Sequence, residues 1–243
     1  CLLSRGLGDV YKRQGRGTAM LIQLCDLDWF QGLPAPELDR IQAACLRRSF
    51  EQGQRIIERG EPGQTVLFVL SGHVLAVQWT EGGREIVYKD IGPGAPFGEL
   101  SVISGAPRSL SLYARTDCTV LEMPGPLLLE LIDTRPEVRQ AVMRGLVRCV
   151  YDLTERVQEL TVLGVEDRLR AYLLRTALEQ GELKPGLTLG NLPTHAVIAN
   201  IVGANREAIS RSLAALNRRG VIQSGRRFLC ILKPDALMRL DEG

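Results

Sequence analysis

Residues 194–220, THAVIANIVGANREAISRSLAALNRRG, constrain the fold more tightly than any other stretch of this 243-residue chain. Val197, Ile198, Ile201 and Val202 recur at the spacing of one helical face. Thr194 is a residue type that caps a helix start, and Gly203 one that closes a helix with positive φ. Asn205 then caps a second helix. On it Ala208, Ile209, Leu213 and Leu216 form an apolar stripe, while Arg206, Glu207, Ser210 and Arg211 gather near its beginning on another face. The pattern predicts a helix-turn-helix whose polar face is placed to meet base edges. An ordinary αα-hairpin shares the apolar pattern. It has no need of Arg218 and Arg219 at the far end, nor of the small hairpin read in 221–232, VIQSGRRFLCIL. Two apolar strands around Ser224 and Gly225 predict a wing with Arg226 and Arg227 at its tip, suited to phosphate. The expected contacts to double-stranded DNA are therefore Thr194, Asn205, Arg206, Glu207, Ser210, Arg211, Arg226 and Arg227.

Upstream the pattern changes twice. From Leu21 to Phe50 it is helical, with Leu24, Leu27 and Phe30, then Pro36 at a helix start and Leu38, Ile41, Ala44 and Cys45 on one face. After Phe50 short strands are read at 55–58, 66–70, 74–77, 85–88 and 119–122, separated by glycine-rich turns. Regular spacing of this kind predicts a small antiparallel barrel or sandwich, a natural ligand container.

Inside it, residues 96–114, PFGELSVISGAPRSLSLYA, carry the clearest small-molecule chemistry. Gly98 permits close backbone approach, Glu99 suits a sugar hydroxyl, and Arg108 with Ser109 offers a fork and a hydroxyl for phosphate. Leu100, Val102 and Ile103 are expected to seat the loop on the barrel. The same residue types also make a plain polar turn in which Glu99 and Arg108 pair with each other.

Between these regions Met143, Leu146, Val150, Leu153, Val157 and Leu160 alternate at three- and four-residue spacings. Such a seam predicts a homodimer through paired helices; a helix packed on its own barrel would show a broader stripe. Gly164 ends the seam and is a candidate hinge. The charge is uneven, +4 from Gly164 onward and −2 before it, which suits a C-terminal nucleic-acid domain. Six cysteines stand without metal-ligand spacing and His73 is remote from His195, so no metal and no catalytic centre are expected. With no apolar run long enough to span a bilayer and no secretory pattern, a cytoplasmic protein away from membranes is expected. Residues 1–17 resemble adapter-derived sequence and are expected to be a non-native or disordered leader.

The order of parts resembles the cyclic AMP receptor protein (CRP/FNR) family of transcription regulators. GELSVISGAPRS, LTERVQELTVLGVEDRL and IVGANREAISRSL carry the likeness. It implies an α+β chain with a cyclic-nucleotide-binding β-roll or barrel at 21–137, a dimerisation helix at 138–163 and a winged helix-turn-helix DNA-binding domain at 164–243. It further implies that Gly98 and Glu99 meet the ribose, that Arg108 and Ser109 meet the cyclic phosphate, and that Thr154 reaches the base across the dimer. The cyclic AMP-responsive members carry a hydroxyl residue where this chain has Leu153, which touches purine choice. The likeness implies a ligand-gated dimer, with cyclic AMP or a related cyclic nucleotide as effector and no other cofactor. It also implies RNA polymerase as a partner and a TGTGA-like palindrome as target. The competing readings are a regulator that is constitutive or answers cyclic GMP or a cyclic dinucleotide, and a non-DNA-binding signalling adaptor. His73 is read as structural rather than as a haem ligand.

Overall fold

The computed structural model describes residues 22–81, 85–190, 192–225 and 228–238. The leader read at 1–17 and the wing-tip residues Arg226 and Arg227 lie outside the described residues. Two compact units divide the rest, one ending at Leu153 and the other starting at Thr154.

The first unit opens with a 3₁₀ turn at Leu24–Asp26 and helix α1, Ala35–Ala44. Eight strands follow: β1 Leu46–Phe50, β2 Arg55–Ile57, β3 Thr65–Ser71, β4 Val74–Trp79, β5 Glu85–Ile91, β6 Pro96–Phe97, β7 Ser111–Ala114 and β8 Cys118–Pro124. They form two antiparallel four-stranded sheets in the orders β1-β8-β3-β6 and β2-β7-β4-β5. Helix α2, Glu99–Ser104, interrupts the strands; α3, Gly125–Thr134, and α4, Pro136–Val162, follow them.

Side-chain alternation explains the layers. Leu67 and Val69 of β3 join Val120, Val74, Ala76, Ile91 and Leu112 in a core between the sheets. Their neighbours Val66, Phe68 and Leu70 face the other way, against Trp29, Phe30, Leu128, Leu131, Val138 and Val142. The run VLFVL is therefore buried on both faces, which is why it reads as continuous apolar sequence rather than as strict alternation. Cys45 and Cys118 are free and buried, and burial pushes the Cys45 thiol up to about 11.

The first unit departs from the sequence pattern at two places. The helical reading to Phe50 fails at Cys45, where the backbone turns extended and β1 begins. That strand, LRRSF, is exposed along nearly its whole length and pairs on one side only, with β8, so no apolar alternation marks it. The loop expected to be seated by Leu100, Val102 and Ile103 is instead helix α2, held there by Val102 and by Ser101 against Gly63. Leu100 and Ile103 point outward because they lie on the opposite helical face.

The second unit contains the last turns of α4 and helix α5, Val165–Gln180. It continues with β9, Leu187–Leu189, α6, His195–Val202, and α7, Arg206–Arg218. The hairpin β10, Ile222–Gly225, and β11, Phe228–Ile231, and the short α8, Pro234–Met238, complete it. The hairpin is extended by β9 into a three-stranded antiparallel sheet. Of the residues whose spacing predicts the helix pair, Ile198, Ile201, Val202, Ile209, Leu213 and Leu216 are buried and Val197 and Ala208 half-buried.

Candidate functional site

Gly98 and Gly105 flank α2, both in the left-handed region, with φ of 80° and 71°. At Gly98 the requirement is double, since a Cβ there would also stand 2.5 Å from Arg108 Nη1. That approach reflects how Arg108 is held. Its Nη1 donates to the Gly98 carbonyl at 2.6 Å and its Nη2 to the Thr65 carbonyl at 2.7 Å, with the Thr65 hydroxyl at 3.3 Å. Arg108 as a residue is only 6% exposed, and burial lowers its pKa against the opposing pull of Glu122, Glu61 and Glu99.

Glu99, half-buried at the start of α2, has its carboxyl raised above the ordinary range by burial. Its own amide and the charges of Lys89 and Arg108 oppose that shift. No ion pair joins Glu99 to Arg108 among the described residues, so the plain polar-turn reading does not hold in that form. The structure brings Gly98, Glu99 and Arg108 together, leaves Ser109 exposed beside them, and turns Leu100 outward. Thr65 was not legible in the sequence: it acts chiefly through a backbone carbonyl, which carries no side-chain signature. An open depression of about 500 Å³ on the β-unit is lined by other residues, including Glu51 and Asp117, with no lysine or arginine among them. It is no anion site.

Along α4 the exposed apolar residues include Met143, Val147, Val150, Leu153, Val157 and Leu160, with Tyr151 and Val162 exposed beside them. Leu146, expected in the seam, packs inward against the helix-covered core, and Val147 takes its place outside. The physical reason is that the first half of α4 is amphipathic twice over. One stripe, Val138, Ala141 and Val142, is claimed by the β-unit and draws Leu146 with it. Leu153 and Thr154 are both exposed.

In the second unit Thr194 caps α6 by accepting from Val197 N–H, and Asn205 caps α7 by accepting from Ala208 N–H at 2.8 Å. Gly203 between them has φ 68°, and a Cβ on it would stand 2.8 Å from Leu160 Cδ2. Arg206, Glu207 and Arg211 project freely from α7. Glu207 and Arg211 approach only to 3.8 Å and are 86% and 72% exposed, a pair loose enough to exchange for base edges. Ser210 lies on the same side but shares a 3.0 Å hydrogen bond with His195 Nδ1, tying α7 to α6. Arg219 pairs with Glu166 of α5 and so braces the unit rather than standing free. His73 sits 3.2 Å from Asp90, which also binds Arg115, a structural cluster at the end of the β-sheets.

Residues 47–135 match the model of the cyclic nucleotide-binding domain, and residues 167–240 that of the Crp-like helix-turn-helix domain. The cyclic AMP receptor protein of Thermus thermophilus is 34% identical over 198 residues, spanning 81% of this chain and 88% of its own length. The chain belongs to the CRP/FNR family. A CRP-like cAMP-activated global transcriptional regulator of Mycobacterium tuberculosis is 28% identical over 211 residues, 86% of this chain and 94% of that one. Among solved structures, the c-di-GMP responsive global regulator CLP of Xanthomonas campestris superposes with a TM-score of 0.69 at 25% identity, covering 82% of this chain and 99% of its own. This CRP/FNR chain thus joins a cyclic nucleotide-binding domain to a helix-turn-helix DNA-binding domain of transcription regulators. Among the described residues no helix is long and apolar enough to cross a membrane, and no cluster of His, Cys, Asp and Glu could hold a metal ion.

Proposed function

We propose that this CRP/FNR protein is a dimeric, ligand-gated, sequence-specific transcription regulator that acts in the cytoplasm, with a cyclic nucleotide as its effector and no catalytic role. The observation that carries the reading is the buried guanidinium of Arg108, locked against the Gly98 carbonyl beside a half-buried Glu99. A cation and a carboxylate close together, next to a glycine in left-handed backbone, match a phosphate and a ribose hydroxyl. Cyclic AMP is the first candidate, because the Mycobacterium and Thermus relatives are named for it.

Pairing of two chains through the exposed stripe of α4 would bring two copies of α7 into one assembly. Ligand then acts by differential affinity for the arrangement that fits two successive major grooves. RNA polymerase is the partner such a DNA-bound dimer would engage. A second reading, a cyclic dinucleotide or cyclic GMP as effector, is favoured by Leu153, which offers no hydroxyl to a base, and by the c-di-GMP responsive Xanthomonas relative.

Calorimetric titration with cyclic AMP, cyclic GMP and cyclic di-GMP, paired with DNA binding in each ligand's presence, tests the proposal. Saturable binding of one ligand that raises DNA affinity supports it. DNA binding indifferent to all three would leave a constitutive regulator in its place.

A further inference from the structure

The register of β5 singles out Lys89. Val77 pairs with Val87 but Ala76 pairs with Lys89, so β5 contains one extra residue, Tyr88, between the two pairings. Directly opposed residues of an antiparallel pair point to the same face, and a bulge re-aims the side chains beyond it. Lys89 therefore stands on the side of Ala76, and Ile91 on that of Val74. Ala76, Val74 and Ile91 all lie in the core between the two sheets. A lysine on the core face of a sheet is unusual, and this one is 54% exposed, so the sandwich is open at that point. Without the bulge, Tyr88 would occupy its place.

Lys89 Nζ lies 3.5 Å from Asp152 Oδ2 on α4, a long contact with both side chains about half exposed, and a weak one by that measure. Its charge also favours the ionised form of Glu99. Arg108, meanwhile, is surrounded by the fields of Glu122, Glu61 and Glu99, and two of its nitrogens already bond carbonyl oxygens. Of these carboxylates Glu122 pairs with Arg48 at 3.2 Å, which leaves Glu61 and Glu99 facing Arg108, and an incoming phosphate adds a further negative charge to that neighbourhood. A low-dielectric site does not hold that excess without another cation.

We infer that Lys89 is a second phosphate-directed cation of the ligand site, held in waiting by Asp152 and released to the cyclic phosphate when ligand enters. The inference rests on the cyclic-nucleotide reading above. Binding exchanges a loose ion pair for a charge-assisted hydrogen bond, and it frees Asp152 on α4, linking occupancy of the β-unit to the helix that bears the exposed seam.

Because Asp152 competes with ligand for Lys89, the two partners must act in opposite directions. Full-length Lys89→Gln should bind cyclic AMP and cyclic GMP roughly three- to tenfold more weakly. Asp152→Asn should bind both about two- to fivefold more tightly. The factors should be equal for the two nucleotides, because both carry the same phosphate, and Lys89→Arg should restore binding. Thermal unfolding of each variant verifies that it remains folded. If both variants bind as the parent does, or both weaken alike, Lys89 and Asp152 are a surface clasp and the inference is overturned. Unequal factors for the two nucleotides overturn it in favour of a base contact. A parent protein that binds neither nucleotide overturns it together with the effector reading.

Discussion

At the scale of single residues the ligand site turns on what only glycine allows and what burial does to a carboxyl. Gly98→Ala forces a side chain into left-handed backbone, at a cost of about 1–2 kcal/mol, and drives a methyl toward Arg108 Nη1. The expected result is a modest loss of thermal stability with at least a tenfold loss of nucleotide affinity, read by calorimetry. Equal affinity in a stable variant would separate Arg108 from the ligand. Glu99 supplies a pH test. Burial raises its pKa, so it takes up a proton at a higher pH than an ordinary carboxylate does. As the acceptor of a ribose hydroxyl it works best ionised, so affinity should fall as pH is lowered from neutral into the mildly acid range. Glu99→Gln should bind more weakly at neutral pH and show a flatter profile. A parent profile as flat as that of the variant would remove Glu99 from the contact.

Among the elements, α4 carries the test of assembly. Its outward stripe of Met143, Val147, Val150, Leu153, Val157 and Leu160, on a helix of 27 residues, is the face through which the proposed dimer would pair. Val150→Asp should place two facing carboxylates in the paired seam and weaken the dimer a hundredfold or more, roughly 3 kcal/mol. Sedimentation at several concentrations measures this, and an undisturbed dimer would move the interface elsewhere. The same helix shows what sequence can and cannot reveal. A three-and-four spacing identifies α4 and its apolar character, but Leu146 and Val147 are both apolar neighbours, and only the position of the β-unit decides which one turns inward. The helix-turn-helix was legible nearly to the residue, because caps at Thr194 and Asn205 and the glycine at Gly203 are local chemistry. Strand β1 and helix α2 were not. The first is an arginine-bearing strand paired on one side only, and the second a short helix set by its glycine flanks and by Ser101 against Gly63, contacts made across long sequence separations.

At the scale of the whole molecule the decisive property is the DNA sequence a dimer would select. Arg206, Glu207 and Arg211 stand on the first turns of α7, the end of a recognition helix that approaches base edges. An arginine matches guanine O6 and N7, and a glutamate accepts from cytosine N4, so these residues should read G·C-containing steps. The family resemblance implies a TGTGA-like half-site, and a dimer's two-fold symmetry would repeat it as a palindrome with half-site centres about 10 bp apart; selection from random duplexes tests both. Glu207→Ala should relax preference at one base pair by about 1–3 kcal/mol and leave the other positions intact. Neutralising Arg226 and Arg227, which the sequence assigns to phosphate, should instead lower affinity for every duplex alike and reduce the salt slope by roughly 1 to 2. The two classes of change are separable because base readout alters which sequences are recovered, whereas phosphate contact alters only how tightly all of them are held. A selection that returns no inverted repeat, or one that Glu207→Ala leaves untouched, would assign the readout to a different face of α7.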